Sequence, residues 1–158
     1  YGINTCFVWD GETNGEGLLW GGCIESVDEM LRHGVAIPTL QQFEEVVLML
    51  ESSEEIPSAD YVGRVMRAFG ERGILERIQG ICVGRAKARE FGNEPSAAKR
   101  QEYRNMQQET IVNVVRRYNK TIPIVQNMDF GHTDPQIPMP YGGKIKFDSQ
   151  NNRIFATL

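Results

Sequence analysis

His132 is the residue whose surroundings are best suited to chemistry. It closes the stretch Asp129-Phe130-Gly131-His132, just past an apolar run that reads as a buried strand. Gly131 frees the backbone at that point, and Pro135, Pro138 and Pro140 stiffen the chain that follows. A neutral imidazole on a rigid loop is what general-base work needs, because the ring titrates near neutral pH and must be held still. The plainer reading is a loop histidine bonded to a backbone carbonyl. His33 is weaker: it falls at the end of a helical pattern, where the helix dipole alone favours a cation.

Glu51 is the natural orienting partner for His132. A carboxylate bonded to one ring nitrogen fixes the tautomer and stabilises the imidazolium. Glu51 ends the apolar run Val46-Val47-Leu48-Met49-Leu50, while Glu54 and Glu55 lie further along the polar loop. All three could instead be solvated acids favouring the N-terminus of the next helix, a reading that suits Glu54 and Glu55 best. Either of them remains an alternative to Glu51 as the acid. A nucleophile is harder to find. No serine sits in a Gly-x-Ser-x-Gly elbow. Ser52, Ser53, Ser58 and Ser96 read as loop or cap residues, and Ser26 as helix surface. Cys23 follows Gly21-Gly22 at a helix start, where a thiolate is stabilised, although a small buried residue behind a tight turn is the commoner case. Two isolated histidines and three scattered cysteines, Cys6, Cys23 and Cys82, offer no metal-ligand spacing, and no metal or cofactor is expected. Asp129-Phe130-Gly131 matches the metal-binding tripeptide of protein kinases, but the kinase glycine-rich and His-Arg-Asp loops are absent.

These side chains must be carried by a scaffold, and the sequence pattern describes one. The 158 residues fit one domain, and with 41% hydrophobic and 24% charged residues the composition is that of a globular protein. Segment 4–9 is rich in strand formers, a turn-rich stretch follows, and 18–20 can return as a second strand. Gly21-Gly22 read as a break, and Ile24, Val27, Met30 and Leu31 recur at helical spacing up to Gly34. A strand over 46–50, a helix after Ser58 closed by Gly73, a strand over 78–83, a long helix over 97–118 and a strand over 122–126 come next. That alternation implies parallel pairing with right-handed crossovers. Segments 144–147 and 153–158 alternate about a turn and read as a hairpin. The expected fold is therefore α/β: a small, mainly parallel sheet with crossover helices, flanked by β-hairpins at both ends, like a swivelling β/β/α domain. In such sheets ligands collect at the carboxyl ends of the strands. Glu51, then Arg85 and Lys87, then Asn127, Asp129 and His132 all fall there.

Several segments together resemble one family, the LD-carboxypeptidases and microcin immunity proteins. Glu16-Gly17-Leu18-Leu19-Trp20-Gly21-Gly22 is similar to its Glu-Gly-x-x-x-Gly-Gly segment. Leu48-Met49-Leu50-Glu51, with more acids and an amphipathic helix ending near Gly73-Ile74-Leu75, is similar to its strand-to-acid segment. Asp129-Phe130-Gly131-His132, followed by Pro138-Met139-Pro140-Tyr141-Gly142, is similar to its His segment. The resemblance covers nearly the whole chain but only the family's C-terminal domain. It implies a Ser-Glu-His hydrolase in which Glu51 is the triad acid, His132 the base, and the serine sits in a separate N-terminal domain. The family cleaves amide bonds beside a free carboxyl end, in murein LD-peptides or in peptidyl or aminoacyl nucleotide toxins. Cys23 stands where the family often has Asn, and the loop from Glu90 to Lys99 and the helix after it look larger than in the murein enzymes. Both departures lean towards the microcin-immunity branch.

The expectations follow. Residues 1–158 form a single domain, the C-terminal part of a longer two-domain serine carboxypeptidase; the abrupt start at Tyr1 without Met fits a piece cut from it. The isolated chain should be inactive. Its partners are the missing N-terminal domain, a peptide or peptidyl-nucleotide substrate, and a second copy if the protein is a homodimer. A net charge of −4 with mixed signs and no basic patch excludes nucleic acid. No apolar run reaches the length of a membrane span, and the odd cysteine count suits reduced thiols in a cytoplasm. The competing readings are a self-contained cysteine hydrolase using Cys23 and His132, and a non-catalytic binding module.

Overall fold

The computed structural model describes residues 6–89 and 92–157. Seven strands form one sheet in the order β1-β5-β4-β3-β2-β6-β7. They are β1 (Val8–Asp10), β2 (Gly15–Cys23), β3 (Val46–Glu51), β4 (Gly80–Gly84), β5 (Ile124–Met128), β6 (Lys144–Asp148) and β7 (Arg153–Thr157). Strands β2 to β5 are parallel neighbours in chain order. Three helices connect them: α1 (Ile24–His33), α2 (Ala59–Glu71) and α3 (Ala97–Tyr118). Right-handed crossovers that advance in one direction put every helix on the same face of a sheet. Accordingly Val27, Val65, Met66, Phe69, Ile111 and Val115, from all three helices, share one core with Leu48, Leu50 and Ile81.

Local chemistry sets the helix ends. Gly34 ends α1 in the left-handed conformation, φ 66°, with its N–H on the Met30 carbonyl. Ser58 caps α2 and Ser96 caps α3, each through a side-chain oxygen accepting a backbone N–H three residues on. The 46–50 run behaves as a strand buried on both faces: Val47 and Leu48 are fully buried. Burying each such side chain contributes about 1.5–3 kcal/mol, which fixes the level of Glu51 at the strand end.

Among the described residues no helix covers the opposite face. It is covered by the sheet's own curl. Leu19, Val47, Cys82, Val125, Phe130, Ile145 and Phe147 form a second core, and Trp9 of β1 meets Phe147 of β6 edge to face at 6.2 Å. Two outer strands that are far apart in strand order thus touch.

Two expectations are corrected here. The N-terminal strand does not form a hairpin with the next one. β1 pairs antiparallel with β5, Val8 opposite Gln126, because both edges of β2 are already taken, by β3 on one side and β6 on the other. Residues 4 and 5 lie outside the described residues. Nor does Gly21-Gly22 break β2: the strand runs on to Cys23. A Cβ on Gly21 would lie 2.0 Å from the Met49 carbonyl oxygen, so glycine is what lets β2 pass this close to β3. The C-terminal hairpin is present as expected, as β6 and β7.

Candidate active site

The carboxyl ends of β2 and β3 finish level, with Cys23 opposite Glu51. Glu51 is the last residue of β3, and its side chain is 10% exposed. His132 lies four residues past β5 on the loop that follows Gly131. Gly131 adopts φ +81°, a left-handed conformation that turns the chain back over Glu51. The Glu51 carboxylate then receives two hydrogen bonds through one oxygen. Nδ1 of His132 approaches Oε2 at 2.8 Å, and the His132 backbone N–H donates to it at 3.2 Å. The ring orientation is therefore set by a buried acid on a sheet-anchored residue, the arrangement expected for these two side chains.

Glu54 was the less favoured acid, yet its carboxylate lies 3.0 Å from Nε2, the other ring nitrogen. It is 56% exposed. His132 therefore sits between two carboxylates. Its hydrogen bond with Glu51 raises its pKa above the ordinary imidazole value; partial burial opposes this, Glu51 and Glu54 add to it by charge, and Lys87 works against it. Glu55 is placed differently: its backbone N–H donates to the Ser53 hydroxyl.

The β3–α2 loop carrying Glu54 is fastened at both ends. Glu25, in the first turn of α1, accepts hydrogen bonds from the Ser53 hydroxyl (2.6 Å) and backbone N–H (3.2 Å). At the other end the Pro57 carbonyl accepts from Tyr103 (2.9 Å) and Gln107 (2.7 Å), both on α3. Sequence reasoning overlooked Glu25. The available signal was its place two residues past Cys23, at a strand end that must align with the end of β3.

The surroundings of Cys23 do not favour a nucleophilic thiolate. Its thiol donates to Glu25 at 3.1 Å. Burial and that bond push its pKa up, the reverse of what a reactive thiolate requires. Burial pushes the Glu25 carboxyl up as well, but the bonds from Ser53 and Cys23 outweigh it and hold Glu25 low.

Arg85 and Asp129, also expected at this rim, form a pair of their own. Arg85 is 8% exposed and donates through Nε (3.2 Å) and Nη2 (2.6 Å) to Asp129, with a further bond to the Asp134 carbonyl. The pair splints the loop on both sides of His132. His33, by contrast, forms an exposed pair with Glu29.

A cavity of about 30 Å³ lies behind Glu51, lined by Val83, Arg104, Gln107 and Gln126. It is large enough for about two waters. A larger groove, about 530 Å³, lies along Leu18, Trp20, Ile37 and Tyr141. It opens at Val46, the first residue of β3 and the end remote from Glu51. No group of three or more metal-ligating side chains occurs among the described residues. No helix among them is long and apolar enough to cross a membrane.

Comparison with known proteins places the chain in a family and a fold. A family model described as the LD-carboxypeptidase C-terminal domain matches residues 16–147. Among solved structures, an MccF-like protein from Streptococcus pneumoniae in complex with AMP superposes with a TM-score of 0.78 at 24% identity, covering 99% of this chain and 45% of that one. The microcin C7 self immunity protein MccF in complex with aspartyl sulfamoyl adenosine gives 0.73 at 20% identity, covering 98% and 41%. An MccF-like protein from Bacillus anthracis gives 0.66 at 23%, covering 90% and 39%. At these identities the likeness establishes a shared fold. The chain spans less than half the length of each of these structures.

Proposed function

Because the chain belongs to the LD-carboxypeptidase C-terminal domain family, we propose that it supplies the orienting acid, Glu51, and the general base, His132, of a serine carboxypeptidase-like amide hydrolase. The observation that carries this reading is the 2.8 Å contact between Nδ1 of His132 and the buried Glu51 carboxylate. With Nδ1–H held by Glu51, Nε2, once clear of Glu54, takes the proton of an attacking hydroxyl. The hydroxyl oxygen adds to the amide carbonyl, and His132 passes the proton to the departing amine, leaving an ester. Water then attacks the ester by the same proton relay, releasing the acid and restoring the hydroxyl.

The hydroxyl belongs to a serine in an N-terminal domain of the parent protein, outside these 158 residues. The coverage of less than half of each solved relative supports such a second domain. The substrate is an amide beside a free carboxyl end, in a murein LD-peptide or in a peptidyl or aminoacyl nucleotide. The complexes of structural relatives with AMP and with aspartyl sulfamoyl adenosine support the second class. Three unpaired thiols suit a cytoplasmic protein.

The test is turnover of an LD-tetrapeptide and of a peptidyl-nucleotide. The parent protein should hydrolyse one of them, and His132→Ala should lower its kcat by about 10²–10⁴-fold or more with little loss of stability. The 158-residue chain alone should turn over neither. An unchanged kcat removes His132 from the mechanism. Turnover by the chain alone, abolished by alkylating Cys23, would replace this reading with a cysteine hydrolase.

A further inference from the structure

A carboxylate accepts hydrogen bonds and donates none. Both ring nitrogens of His132 face one: Nδ1 meets Glu51 at 2.8 Å and Nε2 meets Glu54 at 3.0 Å. Only the Glu51 contact is a hydrogen bond; Glu54 faces Nε2 as an ion pair, and a neutral Nε2 would turn its lone pair towards that anionic oxygen. A carboxylate at each nitrogen therefore favours the imidazolium, which has no lone pair with which to accept a proton from a nucleophile.

We propose that Glu54 is a positioning residue that caps Nε2 of His132 and favours the doubly protonated ring; when an incoming hydroxyl displaces Glu54, the Nε2 proton passes to solvent water and the freed lone pair can accept the hydroxyl proton. The proposal rests on the reading of His132 as a general base. It assigns the two carboxylates different tasks. Glu51 is 10% exposed, ends a buried strand and also holds the His132 backbone, so it stays in place. Glu54 is 56% exposed and makes a single charge-assisted contact with the ring, the kind of pair that costs little to break.

The cap is not a chance excursion of a loose loop. Ser53, immediately before Glu54, is held by Glu25 through its hydroxyl and its backbone N–H. Glu55, immediately after, is tied back to the Ser53 hydroxyl at 3.2 Å. The Pro57 carbonyl is fixed by Tyr103 and Gln107. The loop is thus fastened on both sides of the capping residue. The charges facing the ring are Glu51 from β3, Glu54 from the β3–α2 loop, and Lys87 from the segment after β4, which acts in the opposite sense. Asp129, on the same loop as His132, is matched by Arg85, and Glu25 is occupied by Ser53 and Cys23.

The experiment is an NMR titration of ¹⁵N-labelled histidine in the 158-residue chain, comparing the unmodified protein with Glu54→Gln and Glu55→Gln. In the unmodified chain both His132 nitrogens should stay protonated past the ordinary imidazole midpoint. Glu54→Gln should lower the midpoint by a few tenths of a pH unit, the size of an exposed charge pair. Its neutral ring should keep the proton on Nδ1, because Glu51 remains. Glu55→Gln should leave the midpoint where it is. A midpoint unmoved by Glu54→Gln, or moved equally by Glu55→Gln, overturns the proposal. This outcome is separate from the fate of the base reading, which depends on kcat of His132→Ala in the parent protein.

Discussion

Replacing Gly131 by alanine pushes Glu51 away from His132 without removing an atom from either. Gly131 has φ +81°, where an L-residue costs about 1–2 kcal/mol. The added Cβ would also lie 2.5 Å from Cγ, 2.6 Å from Cβ and 2.6 Å from Oε2 of Glu51. Carbon atoms pack at about 3.5–4.0 Å, so the acid must retreat by about 1 Å. Overpacking of that kind costs about 1–3 kcal/mol. The sum is roughly 2–5 kcal/mol, within the roughly 5–15 kcal/mol by which domains are stable, so most of the protein should still fold. The same retreat stretches the 2.8 Å bond beyond hydrogen-bonding reach. Gly34→Ala is the control: φ is +66° there, but the new Cβ meets nothing within 4 Å, so only the backbone strain remains. Urea unfolding should therefore find Gly131→Ala less stable than Gly34→Ala by roughly 1–3 kcal/mol. The His132 midpoint should fall in Gly131→Ala alone, since Glu51 is what raises it most. Equal losses in the two variants, with the midpoint unmoved, would refute the view that Gly131 is what seats Glu51 under His132.

Two further outcomes are expected. The pKa of His132 is raised on folding, so its pairing with Glu51 contributes fully below the unfolded value, about 6.5, and fades as pH rises through the higher folded value. Glu51→Gln should accordingly cost more stability at pH 6 than at pH 9 in paired urea melts; the same cost at both would show that the ring is not held by charge. Arg85→Met should cost about 2–4 kcal/mol by leaving the Asp129 carboxylate, 15% exposed, without its partner, against about 0–1 kcal/mol for Arg64→Met in the exposed pair with Asp60. Similar melting temperatures for these two variants would mean that the loop around His132 does not depend on Arg85.

The parts of the fold visible in the sequence are those governed by neighbours along the chain. The helix of 97–118 and the buried strand of 46–50 were legible because periodicity and continuous apolarity are local signals. The caps at Ser58 and Gly34 were legible for the same reason. The partner of β1 was not. Which edge a short strand joins depends on which edges remain free after the rest of the sheet has formed, and nothing in 8–10 records that. Gly21-Gly22 was misread because a glycine that breaks a strand and a glycine that lets two strands come close look identical in sequence. At the site, the place of Glu51 at a sheet-held strand end within reach of His132 was legible. Glu54 at Nε2 was not, because an exposed loop acid ahead of a helix has a sufficient local explanation. The staple from Glu25 to Ser53 joins two strand ends through side chains 28 residues apart, beyond the reach of any spacing rule.

The contact between Trp9 and Phe147 has a consequence for the order in which the molecule assembles. Strands β2 to β5 can add one at a time, each next to the last, through crossovers that close short stretches of chain. β1 must wait for β5, and the ring contact must wait for β6, which joins the sheet on the far side of β2. Non-local pairings of this sort are slow because a long stretch of chain must be ordered before the contact is made. The segment bearing His132 runs from β5 to β6, so both of its ends are anchored only once that last pairing is complete. In this order the helix-side core can form before β6 pairs, whereas the second core, which needs Ile145 and Phe147, and the placement of the His132 segment are completed only with that last pairing.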